Sequence, residues 1–305
     1  MLAAADPLFP DLLDASRFDQ ILRWLKHWFN VLPLDVAVRC LAEGTLPARA
    51  VSITFDDGYA DNVTIALPLL IRHNVKATFF IATGFLDGGC MWNDIVINAL
   101  RHHRGETLDL THLDLGTHPT AQPADRRKAV ETLIGRLKYL PSSDREALAQ
   151  RVGAAAGVTP PTNLMMTRQN VRSLRRSGMQ IGGHTVSHAI LMRVSLDNAR
   201  REMADGKAQL EGILDEPVTL FAYPNGKFGV DYGEEHAALA RALGFVAAVS
   251  TDWGAAKVGS DPMHLPRFTP WDRSLVPFAL RLATNLMRKD RAQSTLSRIG
   301  TSGRG

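Results

Sequence analysis

Five short apolar runs punctuate this chain: AVSITF (50–55), KATFFIAT (76–83), MQIGGH (179–184), PVTLFAYP (217–224) and FVAAVST (245–251). Every interval between successive runs holds a segment with helical spacing, at Val63 to His73, Arg168 to Ser177, Asp197 to Leu214 and Glu234 to Leu243. A parallel strand pair needs a crossover of a dozen or more residues, and a helix supplies it. The alternation therefore predicts an α/β fold whose parallel sheet is closed or nearly closed into a barrel. In such folds the chemistry gathers where strands end and the following loops begin.

Four of the five runs end in a cluster of polar residues. Asp56 and Asp57 end the first, His184, Thr185 and His188 follow the third, Tyr223, Pro224 and Asn225 end the fourth, and Asp252 and Trp253 end the fifth. Taken singly these are weak signals, since Asp-Gly is a common turn and most histidine pairs ligate nothing. Their coincidence on one face of one sheet is the stronger signal. A carboxylate and two imidazoles are a common ligand set for a catalytic divalent cation. His184 and His188 come from one segment, HTVSH, and Asp57 completes the set. The second carboxylate, Asp56, can then serve as the base for a hydrolytic water. Adjacent strand residues point to opposite faces, so both aspartates reach one site only if the strand stops at this pair. Gly58 permits that turn.

The rhythm breaks between about 92 and 165, where helices and loops predominate and no buried strand is evident. This is a helical insertion, with ADRRKAVETLIGRLKYL its clearest helix. An N-terminal helical segment (1–49) holds an amphipathic helix over 16–29 behind Ser16 as N-cap, and a basic helix and tail close the chain over 273–305. In that last segment Phe278, Leu282 and Leu286 share one face, with Arg281, Arg288, Lys289 and Arg291 around it. Packing on the barrel is the favoured reading of this helix, and association with a membrane surface is its alternative. The net charge of +4 comes without interleaved aromatic residues, which argues against nucleic acid. No run of 18 apolar residues and no leader-like start occur, and Cys40 and Cys90 are too few for a disulfide framework. A cytoplasmic location, with or without peripheral membrane contact, is expected.

The motifs TFDDG, HTVSH and FAYPNGKFG, in this order, resemble the polysaccharide deacetylases, the carbohydrate esterase group with the NodB homology domain. The runs DDGYADN, ATFFIATGFLDGG and IGGHTVSHAIL are similar to many bacterial members, and the resemblance spans roughly residues 50–270. It implies a distorted (β/α)7 barrel, either complete or short of a first strand. It also implies a divalent metal, usually zinc, and removal of acetyl groups from N-acetylated sugars. Carried over, Asp56 matches the catalytic base, while Asp57, His184 and His188 match the metal ligands. The family's oxyanion donor is the backbone N–H after the motif proline, here Asn225 behind Pro224.

Three departures stand out. Phe221 and Asn225 replace the family's arginine and tyrosine in the proline motif, and Val249 replaces an aspartate, so the usual tether to the base is missing. The last motif ends in Arg267 where the family has its proton-donating histidine, and arginine cannot donate a proton at neutral pH. Arg267 could instead hold Asp56 by charged hydrogen bonds. His264, three residues earlier, is the nearby candidate for the acid. Tyr59, Trp92, Tyr223 and Trp253 are candidate sugar contacts, against a packing role. The expected function is a metal-dependent N-deacetylase of a bacterial polysaccharide or lipid-linked oligosaccharide. Two alternatives stay open: a non-catalytic carbohydrate-binding or assembly protein, and an amidase for a non-sugar C–N bond. Oligomeric state is not legible.

Overall fold

The computed structural model describes residues 6–10, 12–269 and 272–287 of the chain. α1 (Ala15–Trp28) buries Phe18, Ile21, Leu22 and Leu25 at helical spacing. Its N-cap is Asp14, not Ser16: the Asp14 carboxylate accepts from the Arg17 N–H at 2.9 Å and from the Ser16 hydroxyl at 2.6 Å. A carboxylate satisfies the orphan donor and also complements the helix dipole, so it displaces the serine. β1 (Asn30–Val31) and α2 (Leu34–Glu43) follow.

The run AVSITF divides at Ser52. β2 (Ala50–Val51) pairs in parallel with β1, whereas β3 (Ile53–Phe55) joins the main sheet. Beyond it, a turn of π-helix (Asn62–Ala66) runs into α3 (Leu67–Arg72), and β4 (Ala77–Ile81) is buried along its whole length. The insertion comprises α4 (Trp92–His102), β5 (Thr107–Leu110), β6 (Gly116–Pro119), α5 (Pro123–Leu137) and α6 (Ser142–Ala155). β5 and β6 form an antiparallel hairpin, which corrects the expectation of helices and loops alone. Strands this short bury only Leu108 and Leu110 of β5, too few positions to show a period. Together these elements pack a core of their own, with Trp92, Ile95, Leu100, Leu133 and Val152 at its centre.

The alternation then resumes with α7 (Arg168–Arg176), β7 (Gln180–Gly183), α8 (Leu196–Leu214), β8 (Leu220–Ala222), α9 (Glu234–Ala242) and β9 (Ala247–Val249). The strands lie side by side in the order β3-β4-β7-β8-β9, all parallel, in a curled half-barrel consistent with the distorted (β/α)7 fold. The outer face presents Phe79, Ile181 and Phe221 to the helices; the inner face presents Phe80, Leu220 and Val249 to Leu34 and Leu265. Because every strand runs the same way, all five C-terminal ends meet at one rim.

α10 (Leu275–Leu286) lies across the N-terminal helix, with Phe278 seated 5.3 Å from Trp24 and 6.2 Å from Phe268 between ring centres. Leu282 joins that contact, but Leu286 is exposed and Asn285 takes the inward place, donating to the Gly254 carbonyl at 2.8 Å. Arg288, Lys289 and Arg291 lie outside the described residues. No described helix is long and apolar enough to cross a membrane.

Candidate metal centre

The chain turns abruptly at the end of β3. Asp57 has φ +77°, and across it the Gly58 N–H donates to the Asp56 carbonyl at 3.0 Å. This is a γ-turn of the left-handed sense, a strained form. It breaks the strand period between two adjacent residues, so both carboxylates face the rim rather than opposite sides of the sheet. The same device recurs after β8, where Asn225 has φ +59° and the Gly226 N–H donates to the Pro224 carbonyl at 2.7 Å. Among the described residues the Asn225 N–H meets no acceptor. The HTVSH segment is bent in a related way: Thr185 and His188 have φ of +62° and +53°. For β-branched Thr185 this is a genuine outlier, and strain of that kind, about 1–3 kcal/mol per residue, persists only where the surroundings enforce it. Glu202 of α8 does so by accepting from the Val186 and Ser187 N–H groups and the Ser187 hydroxyl at 2.8–3.0 Å.

These bends bring three donors together. The Nε2 atoms of His184 and His188 each lie 3.3 Å from Asp57 Oδ1. Donor atoms sharing one tetrahedral cation at about 2.0–2.2 Å are separated by about 3.3–3.6 Å. The His184 ring is held on its other side by the Ala222 carbonyl, 2.7 Å from Nδ1. A carbonyl only accepts, so Nδ1 carries the hydrogen and the Nε2 lone pair faces Asp57. Burial pushes His188 down to about 4, with the positive charges of His184 and Arg145 adding to it, so the imidazole is neutral. Burial also opposes charge on His184, but the hydrogen bond to Asp57 and the charge of Asp56 outweigh it and raise its pKa. A proton and a cation therefore compete for that lone pair. His184 is enclosed, whereas Asp57 and His188 keep about a quarter and a fifth of their side-chain surface, which leaves the set open on the rim side. The residues fit a divalent metal.

The structure brings Arg267 onto Asp56. Its two terminal nitrogens donate to the two carboxylate oxygens at 2.7 Å each, while Nε donates to the Ser250 carbonyl at 2.7 Å and Nη1 reaches the Thr54 hydroxyl at 3.1 Å. Burial alone would raise the Asp56 pKa; the Arg267 charge and paired hydrogen bonds, helped by His184 and His188, hold it at about 2. Asp57 is lowered against its burial in the same way, by His188 and His184. Both aspartates are thus ionised side by side. The positions of the missing tether, Phe221 and Val249, are apolar and fill the core.

Other predicted residues are not at this site. His264 is 2% exposed, with Nδ1 3.1 Å from the Tyr232 hydroxyl, Nε2 3.5 Å from a Glu234 oxygen and the Phe228 ring against it. None of these contacts is with Asp56 or the ligand set, so the acid role is removed by burial. Tyr223 is buried and stacked on Tyr232 with ring centres 3.6 Å apart. Trp92 is buried in the insertion under the Arg145 guanidinium, 5.1 Å from the ring. Neither can stack on a sugar. Pro224 is buried beneath the Asn225 turn, and Trp253 remains partly exposed beside Phe268.

Tyr59 meets a residue that the motifs do not single out. Its hydroxyl donates to Asp94 Oδ2 at 3.0 Å, which ties the rim to the first turn of α4. Burial pushes Asp94 up to about 7; the Tyr59 hydrogen bond opposes this, and the charges of Asp57 and Asp61 add to it. An aspartate in the first turn of a helix reads as a partner of the dipole, and nothing in its neighbours Met91, Trp92 and Asn93 distinguishes it from one.

The family described as polysaccharide deacetylase matches residues 43–123 and 145–248. Bacillus subtilis (strain 168) YxkH, whose name assigns it to the polysaccharide deacetylases, is 22% identical over 259 residues, 84% of this chain. The chain spans about 65% of the length of that relative. Among solved structures, the Streptococcus pyogenes deacetylase PplD, in complex with acetate, is 21% identical with a TM-score of 0.55 over 84% of this chain and 80% of its own. IcaB from Ammonifex degensii is 18% identical with a TM-score of 0.54 over 85% and 86%. At such identities the two structures speak for the fold.

Proposed function

This chain belongs to the polysaccharide deacetylase family, and on that premise we propose that it removes N-acetyl groups from an acetamido sugar. The sugar would belong to a bacterial polysaccharide or a lipid-linked oligosaccharide. The observation that carries this reading is the placing of both imidazole Nε2 atoms 3.3 Å from one Asp57 oxygen, with ionised Asp56 in the adjacent position. Asp57, His184 and His188 would hold a divalent cation, zinc by the family resemblance. When bound, it would polarise the acetamide carbonyl and make a neighbouring water more acidic.

The rest falls to this chain's own residues. Each Asp56 oxygen spends one lone pair on Arg267 and keeps another, so the carboxylate can still accept the proton of an attacking water. Arg267 fixes the carboxylate plane and keeps it ionised at neutral pH. The Asn225 N–H, fixed by its γ-turn, is the donor for the oxygen that gains charge as water adds to the carbonyl. Asp56 then returns its proton to the departing nitrogen, which removes the need for a histidine at position 267. Acetate release from N-acetylglucosamine oligomers, with and without chelator, tests this. Release that chelator stops and added metal restores supports it. Protein that binds such oligomers with metal present yet releases no acetate would be a carbohydrate-binding protein instead.

A further inference from the structure

α10 shows solvent a face unlike that of any long helix of the insertion. Val276, Leu280, Leu286 and Met287 are 66%, 63%, 53% and 79% exposed. At 100° per residue, Val276, Leu280 and Met287 fall within about 40° of one another. No exposed position of 275–287 carries a charge; Arg281 lies half turned inward, paired with Asp272 at 2.9 Å. α5, by contrast, exposes Lys128, Glu131 and Arg136 along its length, as solvated helices do.

Charge says what covers this face. Residues 288–305 hold five arginines and lysines against one aspartate, a net +4 that equals the net charge of the whole chain. Residues 1–287 are therefore formally neutral, and the entire excess follows α10 directly. A second copy of the chain would bring the same positive charge to the contact. A 12-residue helix, about 18 Å long, also falls short of the ~800 Å² per partner of a stable protein interface. An apolar helix face followed in the chain by basic residues matches the interface of a bilayer rich in anionic lipid, where apolar burial and charge attraction act together.

We propose that the outward face of α10, with the basic residues that follow it, docks this protein on an anionic membrane surface. Docking would also orient the site. Asn285 bonds the Gly254 carbonyl and Phe278 packs on Phe268, the neighbour of Arg267, so α10 leans on the loops beside Asp56. A sugar carried at the membrane would then meet the rim; that step rests on the deacetylase reading, whereas the docking does not.

Co-sedimentation of the full chain with vesicles tests the docking without any activity measurement. Vesicles of phosphatidylcholine with about 30% phosphatidylglycerol should bind at least about tenfold more protein than phosphatidylcholine alone, and added salt should weaken the binding. The double variant Val276→Ser, Leu280→Ser should lower the bound fraction at least about fivefold, with its circular dichroism and its acetate release from soluble oligomers unchanged. Three results would each overturn the proposal: full-length protein that stays in the supernatant at low salt, a double variant that binds equally well, or a dimer in light scattering that the double variant splits.

Discussion

Of the places in this molecule where imidazole lies beside carboxylate, the Asp57 and His264 clusters make the sharpest contrast, alike in little but residue type. In one, His184 and His188 meet Asp57, with Asp57, Thr185 and His188 forced to positive φ, at a rim partly open to solvent. In the other, His264 sits 2% exposed between Tyr232, Phe228 and Glu234, and neither His264 nor Glu234 has a positive φ. The first stores strain to aim lone pairs at one shared point; the second spends its ring on packing and one hydrogen bond. Access and backbone strain, more than the presence of histidine, separate a reactive arrangement from a structural one.

Substitutions can break or sharpen that contrast. The largest effect is expected at the proposed base: Asp56→Asn should lower kcat for acetate release by about 10²–10⁴-fold while elemental analysis still finds metal. Next, Arg267→Ala should cost about 10²-fold in kcat with metal content unchanged, because it frees the Asp56 plane and removes the charge that holds its pKa at about 2. An unaltered rate would mean the ion pair does not position the base. In the sealed cluster, His264→Gln should cost about 1–3 kcal/mol in urea unfolding by disturbing the Tyr232 hydroxyl, yet leave both limbs of the pH–rate profile in place. Loss of one limb would bring His264 into the chemistry and erase the contrast.

The smallest effect concerns Asp94, whose carboxyl burial raises to about 7 from an unfolded value near 4. Between those values the folded chain binds the extra proton, so its stability falls as pH rises from about 4 to 7. Asp94→Asn cannot ionise and still accepts from Tyr59. Its melting temperature should match the parent near pH 4 and exceed it by about 3 °C or more at pH 8. A difference that stays constant with pH would contradict the burial argument.

Much of the rim is legible in the order of the amino acids. Asp56, Asp57 and the HTVSH segment are contiguous text at strand ends, and Gly58 marks the turn that joins them. Arg267 can be read only as a replacement, from the phenylalanine standing at 221, because its partner lies 211 residues away. Trp92 and Tyr223 mislead for a physical reason: an aromatic ring offers the same surface to a sugar and to a core, and sequence does not say which is nearer. The two residues of β1, the β5–β6 hairpin and the γ-turn at Asn225 are too short to impose a pattern. Glu202 and Asp94 are ordinary helix residues until the loop or tyrosine they hold comes into view.

Metal stoichiometry tests the central claim most directly. Elemental analysis of purified protein should find one divalent ion per chain in the parent and in Asp56→Asn, and almost none in Asp57→Ala, His184→Ala or His188→Ala, each checked for folding by circular dichroism. An equimolar ion retained after all three ligands are replaced would show that the cation sits elsewhere, and the chemistry assigned to this rim would go with it.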